Sequence, residues 1–115
     1  MFGRLRHILL TISFLLIGST TTWADKNFIL VIDPGHGGHD AGAVGGFSKE
    51  KDINLQVALA FGNLVEQNCP DVKVIYTRKT DIFIPLDTRA DIAKNAKADL
   101  FISVHTNSLP AGRIA

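Results

Sequence analysis

The stretch NFILVIDPGHGGHDAG, residues 27–42, decides how the chain is read. Behind Asn27 it runs apolar through Ile32 and is stopped by Asp33-Pro34, the pattern of a strand buried on both faces. From Asp33 to Lys49 the chain then carries six glycines, with His36, His39 and Asp40 set among them. A buried strand that opens onto imidazoles and carboxylates on a bare backbone admits a phosphate cradle, a metal site or a tight turn. The surrounding chain has to choose.

Working outward, residues 50–68 place Ile53, Val57, Phe61, Leu64 and Val65 at helical spacing, and Pro70 forbids continuation. VKVIYT (72–77) is rich in β-branched residues and predicts a second strand. Leu86, Ala90 and Ala93 mark one face of a shorter helix entered through Pro85, and LFISV (100–104) predicts a third buried strand. Strand, helix, strand, helix, strand predicts an α/β fold with an open, mostly parallel sheet flanked by helices. In such sheets ligands bind beyond the carboxyl ends of the strands, where the strand order switches. His36 and His39 follow the first strand, His105 follows the third, and Glu50 opens the first helix on the same edge. If the first and third strands are neighbours, about 4.8 Å apart, the order is 2-1-3 and these side chains can meet on one atom.

Residues 1–24 read differently. MFGRLRH carries Arg4 and Arg6 and no acid, ILLTISFLLIG is an apolar run, and STTTWA ends in Ala24 with Thr22 two positions earlier. These are the three parts of a secretory signal peptide, and the run is short of the roughly 20 residues a bilayer span takes. An uncleaved anchor is the alternative. Removing 24 of the 115 residues leaves 91, lowers Lys plus Arg from 12 to 10 against 11 acids, and brings the net charge near −1. That leaves no basic stripe for nucleic acid and no further membrane span. Cys69 is the sole cysteine, so no internal disulfide is expected, and it reads as packing at a helix end.

The glycine loop fails the nucleotide patterns. Gly35 and Gly37 are followed by Asp40 where a dinucleotide fingerprint needs its third glycine, and GGFSKEKD lacks the Gly-Lys-Ser/Thr triplet of a phosphate loop. Asp33, Asp40 and Glu50 would also repel phosphates. Two neutral imidazoles with one carboxylate, and a fourth position for water, suit a catalytic zinc. Asp33 or a backbone carbonyl is expected to hold the far nitrogen of a ligating imidazole. Spacing alone still leaves each histidine open to an ordinary surface or core role.

Three blocks sharpen this: VIDPGHGGHDAGAVG, KEKDINL and YTRKTDIFIPLDTRADIAKNAKADLFISVHTN. Together, from about Ile29 to Asn107, they resemble the zinc-dependent N-acetylmuramoyl-L-alanine amidases, cell-wall hydrolases of the type that separate daughter cells. The resemblance implies that residues 25–115 are the N-terminal portion of an α/β catalytic domain whose metal ligands are His36, Glu50 and His105, with Zn²⁺ as cofactor. His39 stands where the family varies. The implied reaction is hydrolysis of the amide joining N-acetylmuramic acid to L-alanine in peptidoglycan. Export to the periplasm, envelope or exterior follows, with an activator protein as a potential partner.

The family pattern also includes a later glutamate acting as general base and acid, followed by further strands and helices. No Glu or Asp follows His105 here. The expectation is therefore a sheet incomplete on its C-terminal side, no catalytic residue within the 115, and weak or no hydrolysis by this chain alone. The alternative is a non-catalytic wall-binding or regulatory protein that retains the metal. Among the remaining residues, Arg78, Asp81 and Arg89 are expected to pin the loop before the second helix by ion pairs. Lys49 and Lys51 are expected to be solvated. Asn107 is expected to orient substrate or cap a turn, and Phe47 to contact glycan or peptide or simply lie exposed.

Overall fold

The computed structural model describes residues 27–108. The expected export signal, residues 1–24, lies outside them. Five elements follow in chain order: β1 (Phe28–Pro34), α1 (Glu50–Asn68), β2 (Val72–Tyr76), α2 (Leu86–Asn95) and β3 (Leu100–Val104). The strands form one parallel sheet in the order β2-β1-β3. Val31 lies opposite Ile75 on one side and Phe101 on the other. Parallel pairing sends every strand's carboxyl end to the same edge, so the segments after Pro34, Tyr76 and Val104 leave the sheet together. The strand order and the element boundaries match the sequence reading closely.

The core is small. Leu30, Val31, Ile32 and Ala58 are its fully enclosed apolar residues among those described, with Val65, Val72, Val74, Tyr76, Ile102 and Val104 packed around the α1 side. Each enclosed large aliphatic side chain contributes about 1.5–3 kcal/mol, and three of them lie side by side on β1. The central strand carries the apolar interior, as its unbroken run predicts.

Two packing expectations are corrected. The face of α1 that meets the sheet is not the Ile53, Val57, Phe61, Leu64 ridge. Glu50, Lys51, Asn54, Ala58 and Gly62 are the buried residues of the helix, whereas Val57, Phe61 and Leu64 are exposed. The reason is steric. The Tyr76 hydroxyl occupies the space a Cβ on Gly62 would need, so only this small-residue face lets α1 lie close against β2. The third strand is not buried either. Leu100 and Phe101 are 46% and 41% exposed, and among the described residues β3 pairs with β1 alone.

Candidate metal centre

The loop that leaves β1 is held in a conformation that most residues avoid. His36 has φ 62°, left-handed backbone that strains a side chain bearing a Cβ. Its carbonyl is held by Arg89 Nη2 at 2.8 Å, and the next turn closes through paired bonds between Gly37 and Asp40 (2.8 and 3.0 Å). The chain then folds back onto the start of α1. The carbonyls of Ala43 and Ala41 accept the N–H groups of Glu50 (2.8 Å) and Lys51 (3.1 Å). Lys49 makes no side-chain cap, so the glycine loop itself satisfies these two donors.

That folding brings His36, Glu50 and His105 together. One ligand atom from each lies within 4.8 Å of the others. Nε2 of His36 is 3.3 Å from Oε1 of Glu50, and Nδ1 of His105 is 3.4 Å from the same oxygen. The two rings stand nearly perpendicular, with centroids 5.0 Å apart. A tetrahedral zinc with bonds of about 2.0–2.2 Å needs ligand–ligand edges of roughly 3.3–3.5 Å. The donor set and both edges fit such an ion. Glu50 is buried and the imidazoles are part-exposed, which leaves an open side to the cluster.

Each of these groups is oriented by a partner. His36 Nδ1 is 2.8 Å from Asp40 Oδ2; a carboxylate only accepts, so Nδ1 carries a proton, and a metal seated beside Glu50 would take the Nε2 lone pair. Asp33, expected as one candidate for this task, is committed elsewhere. Its Oδ1 accepts from Thr77 and Arg89, and its Oδ2 from Ser103. Glu50 Oε2 accepts the Ala43 N–H (2.8 Å) and Oε1 the Thr106 N–H (3.1 Å). Burial raises the Glu50 pKa, but these two N–H groups and the neighbouring His36 outweigh it, leaving the carboxyl below its ordinary range. The bond from His36 lowers Asp40 in the same direction, against a smaller opposing effect of burial. Behind them the buried Asn54 donates to the Gly35 carbonyl and accepts from the Thr106 hydroxyl. The His105 ring lies flat on Gly35, where an added Cβ would stand 2.5 Å from Nε2.

The three charged residues expected to pin a loop do so, though mainly a different loop. Arg89 pairs with buried Asp33 at 2.8 Å and also reaches the carbonyls of Pro34, His36 and Ile84. Arg78 makes no such ion pair among the described residues; its guanidinium donates to the carbonyls of Pro34, Gly35, Lys51 and Thr80. Asp81 accepts from the Gly38 N–H and pairs with Lys51 at 2.7 Å. Lys51 is therefore not solvated: it is buried beneath this pair and also donates to the Gly38 carbonyl. Lys49, Asn107 and Phe47 are exposed, and Cys69 is a half-buried free thiol at the α1 C-cap. His39 packs on Phe83 with ring centroids 4.2 Å apart and is outside the cluster.

Asp40, Thr106, Asn54 and the Ala43 N–H were not legible as site residues. The single Asp in HGGHD, four residues after His36, carried a faint signal; a backbone N–H carries none. Beside the cluster lies an open groove of about 850 Å³, walled by Phe83, Ile84, Leu86, Ala93 and Phe101, with His36 and His105 on its rim.

Comparison with known proteins follows the same lines. Residues 30–115 match the family described as N-acetylmuramoyl-L-alanine amidase. The chain is 45% identical over 85 residues to the amidase AmiC of Escherichia coli O6:H1, covering 73% of this chain and 20% of that protein. It is 40% identical over 79 residues to the sporulation-specific amidase of Bacillus subtilis, covering 69% and 31%. Among solved structures, the catalytic domain of CwlV from Bacillus (Paenibacillus) polymyxa superposes with TM-score 0.70 at 42% identity, covering 73% of this chain and 48% of that one. The CwlD amidase of Clostridioides difficile, solved in complex with the GerS lipoprotein, gives 0.69 at 30%, covering 76% and 52%. The chain thus spans under a third of these two curated relatives and about half of the solved chains.

Proposed function

Because this chain belongs to the N-acetylmuramoyl-L-alanine amidase family, we propose that it serves zinc-dependent hydrolysis of the amide between N-acetylmuramic acid and L-alanine in peptidoglycan. The observation that carries the zinc reading is that His36 Nε2 and His105 Nδ1 both stand at a zinc-like edge from Glu50 Oε1, with one ligand atom of each residue within 4.8 Å of the others. When bound there, zinc supplies Lewis acidity to an amide carbonyl and to water. The chain's own residues build the cradle. Asp40 keeps the His36 lone pair facing inward, Thr106 and Ala43 hold the Glu50 oxygens, and Arg89 holds the strained His36 carbonyl.

Export to the periplasm or envelope through residues 1–24 belongs to the same reading, and no described helix is long and apolar enough to cross a membrane. The complex of the C. difficile amidase with a lipoprotein supports a protein partner here as well. The test is digestion of purified sacculi by the full-length protein. Stem peptides with a new N-terminal alanine should appear, vanish on chelation, return with zinc, and be absent from His36→Ala. Release that persists under chelator overturns the zinc reading. Retention on sacculi without release favours a metal-retaining wall-binding protein instead.

A further inference from the structure

We propose that Asp40 is a positioning residue that orients two of the three candidate ligands, His36 and Glu50, through the two oxygens of one carboxylate; the proposal rests on the zinc reading above. One arm is direct. Oδ2 of Asp40 takes the Nδ1 proton of His36 at 2.8 Å, which fixes both the tautomer and the ring rotation that aim Nε2 at Glu50.

The second arm runs through the backbone. Oδ1 accepts the Gly42 N–H at 3.1 Å. Gly42 has φ +66° and is wedged between the ligands, since an added Cβ would lie 2.6 Å from Glu50 Oε2 and 2.7 Å from His36 Cδ2. The next residue, Ala43, donates its N–H to Glu50 Oε2 at 2.8 Å and accepts the Glu50 N–H through its carbonyl, also at 2.8 Å. Anchoring Gly42 therefore anchors the Glu50 carboxylate in rotation, which leaves Oε1 facing both imidazoles. Asp40 is itself fixed by its paired backbone bonds to Gly37. Its side chain is 42% exposed, so a substitution there strands no buried charge.

Asp40→Asn separates positioning from bulk. The amide has the same shape but only one acceptor oxygen. If that oxygen faces His36, the NH₂ group meets the Gly42 N–H donor to donor and the backbone arm is lost. If the NH₂ faces His36, the ring must accept at Nδ1 and carry its proton on Nε2, where it blocks a metal. Either arrangement breaks one arm.

The experiment has two readouts on wild-type and Asp40→Asn protein at about pH 8, above the ordinary range of imidazole titration. The first is the His36 tautomer in the metal-free protein, from ¹⁵N chemical shifts. The second is zinc affinity by chelator competition. We expect an Nδ1-protonated His36 in the wild type. In the variant we expect zinc binding weakened about 10–100-fold, the usual effect of removing such an orienting group, with thermal unfolding nearly unchanged. A wild-type His36 protonated on Nε2 and not on Nδ1 overturns the proposal without any variant. So does a folded Asp40→Asn protein with unchanged tautomer and zinc affinity, or one that loses stability alone. Failure of the wild type to bind zinc, with the expected tautomer present, overturns the zinc reading and leaves Asp40 as the group that orients His36.

Discussion

Gly35→Ala is the sharpest perturbation of the proposed centre, because it moves one ligand without touching any ligand chemically. The added Cβ would stand 2.5 Å from Nε2 and 2.7 Å from Nδ1 of His105, and ordinary contact begins near 3.4 Å. The ring must therefore retreat by about 0.9 Å. Zinc–nitrogen distances tolerate about 0.2 Å, so a displacement of that size removes His105 from the coordination sphere. Tight four-ligand sites bind with about 10–16 kcal/mol, or roughly 3 kcal/mol per ligand, and losing one weakens zinc by about 100-fold or more. The fold should be affected much less. The His105 side chain is 44% exposed and can swing outward, and the Gly35 backbone is not in the left-handed region. Overpacking then costs near the low end of about 1–3 kcal/mol. The assay is zinc competition against a chelator beside thermal unfolding of the metal-free protein. A folded Gly35→Ala protein that binds zinc within about threefold of the wild type would refute the placement of His105.

Other consequences are independent of this one. Arg89→Met leaves Asp33 charged, buried and held only by two hydroxyls, so urea unfolding should show a loss of about 3–5 kcal/mol, enough to unfold a marginal domain. In the metal-free protein, Glu50 and Asp40 are both depressed. Their stabilisation is present above the ordinary carboxylate values and is lost as pH falls through the depressed ones. The urea midpoint should therefore decline below about pH 4.5, and less steeply in Asp40→Asn. If residues 1–24 are an export signal, intact mass of the exported protein should place its N-terminus at Asp25; a mass retaining Met1 would indicate an anchor.

The sequence exposed the elements well because their signals are local. β1 is one apolar run, Pro70 stops α1, and Pro85 opens α2. The order β2-β1-β3 followed from asking where His36 and His105 could meet. Contacts decided by shape were hidden. Helical periodicity singled out Val57, Phe61 and Leu64, but the close approach of Tyr76 to Gly62 turned that ridge outward. Lys51 looked like any helix-start lysine, and only the fold of the loop after β2 brings Asp81 over it. Asp33 or a backbone carbonyl was the expected partner for an imidazole, and only the hairpin at 37–40 brings Asp40 beside His36 instead.

Stability and site geometry are carried by different parts of this sheet. The apolar interior is confined to the middle of β1 and the α1 face, whereas the carboxyl edge is held by Asp33, Glu50, Asn54, Thr77, Arg78 and Arg89, all buried. Among the described residues no buried side-chain nitrogen or oxygen lacks a partner. A satisfied polar network fixes angles that aliphatic packing leaves loose, and here two arginines with Asn54 grip the carbonyls of Pro34, Gly35 and His36 in succession. That grip holds a non-glycine residue at φ 62°. A metal cradle whose edges must match within a few tenths of an ångström needs such a frame. Removing a strut such as Arg89 therefore threatens the fold, whereas altering Asp40 or Gly35 tunes the ligands and leaves the fold standing.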